Sequence, residues 1–128
     1  MKYIELEDLL QFHALSIQLY GGGEGLRDIG RLEAAIATQE QVVFGSELYP
    51  SPHEKAAAMM RGIIADHPFS DGNKRTGILT ALIFLELNGF EFVAEKGEIE
   101  DFAVQTATDH PDIPAIAAWL KSHSQPRR

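Results

Sequence analysis

Leu6, Leu9, Leu10, Ile17 and Tyr20, with His13 on the same stripe, recur at three- and four-residue spacing and predict a helix over about residues 6–20. Gly21-Gly22-Gly23 stops it. After a glycine-rich loop to Gly30, the stripe Leu32, Ala35, Ile36, Gln39 and Val43 predicts a second helix, opened by Asp28 or Gly30 and closed by Gly45. Residues 45–52, GSELYPSP, read as an exposed loop or short hairpin. The alanines, Met59, Met60, Ile63 and Ile64 then favour a third helix from His53 to Asp66 with a wide apolar face. Pro68 disfavours the α conformation at His67, so that helix should stop at or before it.

Residues 72–88 are apolar nearly all round, which predicts a central buried helix ended by Asn88-Gly89. Phe90 to Val93 read as one short strand, and Glu98 to Thr108 and Ile113 to Ser122 as two more helices, the last presenting Ile113, Ile116, Ala117 and Leu120. The tail over 123–128 is expected to fray. The expected fold is therefore all-α: one compact domain over 1–128, of about six helices around a central buried one, with a small hairpin.

Composition narrows the function. At 128 residues the chain can bury a core without staples, and its lack of cysteine removes thiol nucleophiles, thiolate metal sites and disulfides together. That fits a reducing cytoplasm. The N-terminus MKYIELEDLL has no signal pattern, and the longest near-apolar run, Thr76 to Leu85, falls short of the roughly 20 residues of a membrane span, so a soluble cytoplasmic protein is expected. A formal charge of −8 argues against a surface that follows nucleic acid, and without a carboxylate cluster a nuclease is disfavoured as well. Any anion must be held locally, and an acidic exterior leaves room for a basic protein partner.

The chemistry concentrates in His67-Pro68-Phe69-Ser70-Asp71-Gly72-Asn73-Lys74-Arg75. His67, fixed by Pro68 and by an inward-turned Phe69, is placed as a general base, a role that suits a group titrating near neutrality. Asp71 can cap the next helix or hold Mg²⁺, which needs only one or two carboxylates beside phosphate oxygens and water. Gly72 lets backbone approach a ligand, and Asn73, Lys74 and Arg75 put donors in the first helical turn, where N–H groups are unpaired. Two cations there oppose the helix dipole, at a cost of a few tenths of a kcal/mol, unless an anion arrives.

Other positions carry less. Gly21 to Gly25 lack the Gly-Lys-Ser/Thr ending of a P-loop and read as a helix stop and turn. His13 reads as a hydrogen-bonded core histidine, Trp119 as packing, and His53, His110 and His123 lack partners at zinc-ligand spacing.

Residues His67 to Arg75 resemble the signature of the Fic/Doc superfamily, H-x-F-x-[D/E]-G-N-[G/K]-[R/K]. The helix carrying His13, the GxRDxG loop at Gly25 to Gly30, the Leu32-Glu33 helix start and the Asn88-Gly89 stop are similar to its Doc, or death-on-curing, branch. The likeness covers essentially the whole chain and implies a small helical toxin of a toxin–antitoxin pair. Standard Fic enzymes transfer AMP from ATP and carry G-N-G-R-x-x-R, where this chain has Lys74 for the glycine and Ile78 for the second arginine. In the Doc branch that change accompanies an inverted nucleotide and γ-phosphate transfer. The resemblance then implies ATP and Mg²⁺ as cofactors, His67 as base, Asp71 at the metal, and Gly72, Asn73, Lys74 and Arg75 around the phosphates.

It further implies a threonine of elongation factor Tu as target, a flap at 45–52 that grips the target by main-chain pairing, and an antitoxin whose disordered tail folds onto the domain in place of the inhibitory [S/T]-x-x-x-E-[G/N] helix, which is not found here. An AMP transferase using the same residues is the alternative, and a non-catalytic nucleotide-binding domain is the competitor from another class.

Overall fold

The computed structural model describes residues 1–127, apart from the side chain of Lys96. Six α-helices carry the fold: α1 (Leu6–Tyr20), α2 (Ile29–Ala37), α3 (Pro52–Asp66), α4 (Asn73–Leu87), α5 (Lys96–Asp109) and α6 (Ile113–Ser122). Two small antiparallel ladders accompany them, β1 (Val42–Val43) with β2 (Ser46–Glu47), and β3 (Phe90–Phe92) with β4 (Ser124–Pro126). The all-α architecture expected from the sequence is observed.

Local chemistry sets the helix starts. The carboxylates of Asp28 and Asp112 and the hydroxyl of Ser51 accept N–H groups of Arg31, Ala115 and Glu54 at 3.1, 2.9 and 3.1 Å. Pro52 occupies the first turn of α3, where its missing N–H costs nothing. Tertiary packing runs through α3, against which α2, α4, α5 and α6 all pack, while α1 lies on α4. The α3/α4 contact is close because of Gly77, where a Cβ would stand 2.7 Å from Ile64 Cγ1 and 3.2 Å from the Met60 carbonyl. Ala56 to Met60, Ile63 and Ile64 on α3 and Ala81, Phe84 and Leu85 on α4 are buried together.

Two expectations need correction. The second helix does not reach Gly45: it ends at Ala37, continues as a 3-10 turn over Thr38–Glu40, and gives way to β1, where Val43 is exposed rather than buried. The helical stripe runs out at Gln39, whose carboxamide turns inward to bond the N–H and C=O of Ile4 at 2.7 and 2.8 Å. Beyond it the β-branched Val42-Val43 pair suits a strand. The hairpin therefore spans 42–47 around Phe44 and Gly45, both at positive φ as a type I′ turn requires, and only its second half falls in the expected 45–52 segment.

The tail is also ordered where fraying was expected. Ser124–Pro126 pair with β3, Val93 N–H donates to the His123 carbonyl at 2.7 Å and Arg127 N–H to the Gly89 carbonyl at 2.7 Å. Side chains explain this: His53 Nε2 bonds Ser124 Oγ at 2.9 Å, and His123 stacks on Trp119, which stacks on Phe102. The expectation for Arg128 lies outside the described residues.

Candidate active site

The loop between α3 and α4 is held through its main chain by the 25–31 stretch, by His13 of α1 and by Asn73 of α4. Asp66 closes α3, its carbonyl held by Arg31 Nη1 at 2.7 Å, and His67 turns out of the helix at φ 48°. A left-handed, β-branch-free residue of this kind is held there by its surroundings. Pro68 O accepts the N–H groups of Arg27 and Asp28 at 2.8 and 2.9 Å, and Ser70 N–H donates to Gly25 O at 2.9 Å. The 25–28 segment thus runs beside the loop like a short strand, bridging Leu26 to Phe69.

Phe69 is buried, as expected, and stacks on His13 with centroids 3.8 Å apart and planes 3° from parallel. His13 Nε2 donates to the Asp71 carbonyl at 2.8 Å, so it is the buried, bonded histidine foreseen, but its partner is the site loop. Since a carbonyl only accepts, Nε2 must carry the proton.

Asn73 is 7% exposed, and its carboxamide spans the loop: Oδ1 accepts Phe69 N–H and Nδ2 donates to Phe69 O, both at 3.0 Å. Nδ2 also lies 3.4 Å from His67 Nδ1, a contact too long to fix the tautomer. The side chain expected to touch phosphate is therefore spent on holding the loop at Phe69. What this residue offers a ligand is its backbone N–H.

Gly72, at φ 79°, caps α4 without a side-chain bond, and among the described residues nothing accepts the N–H groups of Asn73, Lys74 and Arg75. Three such donors at a helix start are the arrangement that can receive an anion. Asp71 is exposed; its Oδ1 accepts Gly72 N–H at 2.8 Å and its Oδ2 accepts Gly23 N–H at 3.3 Å. Each oxygen keeps a lone pair for a cation. Lys74 and Arg75 are exposed and form no ion pair among the described residues; Arg75 lies over the Tyr20 ring, 4.6 Å from its centroid. Ile78, at the place of a second arginine in the signature, is 7% exposed and packed in the core.

The glycine-rich loop is more than a helix stop and turn, since it forms a wall of the site. A Cβ on Gly22 would stand 2.6 Å from Asp71 Oδ2, and one on Gly25 2.7 Å from Ser70 Oγ. Four glycines in five residues exceed what one helix stop needs, and that surplus was the available signal. A separate cleft of about 510 Å³ between the start of α3 and α6, lined by Tyr49, His53, Ile113 and Lys121 among others, includes none of these residues. There, burial and the nearby Lys121 charge hold the His53 imidazole below its ordinary 6.5.

Comparison with known proteins agrees with this geometry. The Fic/DOC family profile matches residues 3–85. The chain is similar to Toxin Doc of Mycolicibacterium smegmatis, 36% identical over 121 residues that cover 93% of this chain and 91% of that protein. It is also similar to Protein kinase doc of Escherichia phage P1, 34% identical over 121 residues that cover 94% of each. With a signature loop that sets an imidazole and a carboxylate beside a row of N–H groups, the chain belongs to the Fic/DOC family.

Proposed function

We propose that this chain is a Doc-type toxin that transfers the γ-phosphate of ATP to a serine or threonine hydroxyl of a translation factor, elongation factor Tu being the expected target, and is neutralised by an antitoxin. The names of the two relatives support the toxin and kinase readings. The observation that carries the choice of kinase is the placement of charge. Lys74 stands exposed at the N-terminus of α4 where standard family members have glycine, while position 78 is an apolar core residue, so cations gather at the first turn only.

The target hydroxyl loses its proton to His67 as its oxygen forms a bond to the γ-phosphorus; the bond from that phosphorus to the β-bridging oxygen breaks and ADP leaves. In the neutral ring one nitrogen is bare, and the loose Asn73 contact lets either tautomer form. The N–H groups of Asn73, Lys74 and Arg75 and the Lys74 and Arg75 side chains would hold transferring and leaving phosphates, with Gly72 admitting them close to backbone. Positioning and charge stabilisation are what such a transfer requires.

Asp71 suits Mg²⁺: it is an exposed carboxylate beside the anion site, with each oxygen only partly committed. Bound there, the ion would neutralise phosphate charge. The apolar, fully exposed tip of the hairpin at Phe44 fits contact with a target or with a folding antitoxin tail. Action on a translation factor places the protein in the cytoplasm, and no helix among the described residues is long and apolar enough to cross a membrane.

Intact-mass measurement of elongation factor Tu after incubation with Mg²⁺, ATP and the protein tests this. A phosphate-sized gain absent with His67→Ala is expected. An AMP-sized gain would replace the kinase by an AMP transferase.

A further inference from the structure

Helix α1 lies outside the signature, yet one of its faces meets the site at three successive levels. His13 donates to the Asp71 carbonyl at 2.8 Å and stacks on Phe69. One turn later Ile17 Cδ1 lies so near the backbone that a Cβ on either Gly22 or Gly72 would stand 3.2 Å from it. A further turn on, the Tyr20 ring lies under the Arg75 guanidinium, 4.6 Å from centroid to Cζ. Positions 13, 17 and 20 share a helix face by their spacing, so a single rigid surface meets residues 71, 72 and 75 in order.

We propose that α1 is part of the phosphate machinery, with His13 a positioning residue for Asp71 and Tyr20 a positioning residue for Arg75. This deepens the phosphoryl-transfer reading and rests on it. The Asp71 carboxylate is aimed by the Gly72 and Gly23 N–H groups, but those bonds fix its direction only if the main chain at 71 is itself fixed. His13 supplies that hold from a buried position, 4% exposed, where water does not compete for the bond. Arg75 is exposed on a long stem and has no carboxylate partner among the described residues. The Tyr20 face keeps its guanidinium beside the end of α4 through a contact weak enough to yield to phosphate, which reduces the freedom lost on binding.

The test combines calorimetric affinity for Mg²⁺-ATP with NMR of the Gly72 amide and the Arg75 Nε–H. Tyr20 is 64% exposed, so its variants should fold normally. Tyr20→Leu should remove the ring-current shift at Arg75 Nε–H and weaken Mg²⁺-ATP about two- to fivefold, while Tyr20→Phe restores both. His13→Leu should shift the Gly72 amide and weaken binding about tenfold, with partial recovery in His13→Gln, which keeps a donor. Leu19→Ala, on the exposed face of the same helix, should change neither readout.

Folded Tyr20→Leu and His13→Leu proteins that bind Mg²⁺-ATP as the parent does would overturn the proposal alone. So would an unmoved Gly72 amide in His13→Leu. A parent protein that binds no Mg²⁺-ATP would overturn the functional reading and the proposal with it.

Discussion

Two short segments between helices, the 67–72 loop and the 42–47 hairpin, are held in opposite ways. The loop is bonded at several points, the 25–28 segment holding Pro68 and Ser70, Asn73 of α4 holding Phe69 and His13 of α1 holding the Asp71 carbonyl. The hairpin is tied to the core mainly by Lys55 of α3, 1% exposed, which bonds the Gln39 carbonyl and the Glu47 carboxylate, the latter at 2.9 Å. Its tip, Val42, Val43 and Phe44, is exposed. Under the proposed function the loop must hold a reaction geometry, which tolerates little displacement, while the hairpin would meet a partner and needs only an anchor and a free end.

The largest effect should come from His67→Ala, which removes the proposed base from a solvent-facing position: transfer should fall about 10²–10⁴-fold with the melting temperature unchanged. A large drop in melting temperature would mean that His67 is a structural cap. Asn73→Ala leaves the buried N–H and C=O of Phe69 without partners, so urea denaturation should show a loss of about 1–3 kcal/mol along with loss of transfer. If stability fell while transfer persisted, the loop would not be held as described.

At the hairpin the two effects should separate. Phe44→Ser should change stability by less than about 0.5 kcal/mol yet raise KM for the protein target about tenfold or more, kcat being little altered. An unchanged KM would remove the hairpin from target binding. Glu47→Gln keeps an oxygen that can accept from the buried Lys55 ammonium but removes the compensating charge, and should cost only about 1 kcal/mol in urea denaturation, because the Glu47 side chain is 45% exposed and solvent screens the pair. Lys55→Met should be closer to neutral, since it removes the buried charge itself.

The smallest effect belongs to neither segment and sets their baseline. His53 titrates below its ordinary 6.5 because burial, and then Lys121, disfavour its charged form. The unfolded chain therefore takes up that proton first, and stability should fall as pH drops through 6.5 and below, an effect lost in a His53→Phe protein. Thermal melts at pH 7.5 and 5.5 measure it, and an unchanged difference in the variant would assign acid sensitivity to another group.

Much of the site was legible because signature and backbone chemistry coincide. His67 before Pro68, the inward Phe69 and the start of the fourth helix at Asn73 follow from local rules on proline, glycine and apolar spacing. Asn73 shows the limit: its residue type announced a donor, but whether that donor faces a ligand or its own loop depends on where Phe69 lies. Lys55 was illegible for a similar reason, since a lysine in an alanine-rich helix reads as solvent-facing until the hairpin folds over it.

Helix positions, the all-α class and the family were thus determined by the sequence itself, through short-range spacing and a nine-residue motif. The end of the second helix, the pairing of the C-terminal strand, the burial of Lys55 and the reach of α1 into the site were decided only by the tertiary structure. Each depends on partners far apart in the chain, as His13 and Asp71 are, and neither spacing nor propensity records which distant groups will satisfy a buried donor or acceptor.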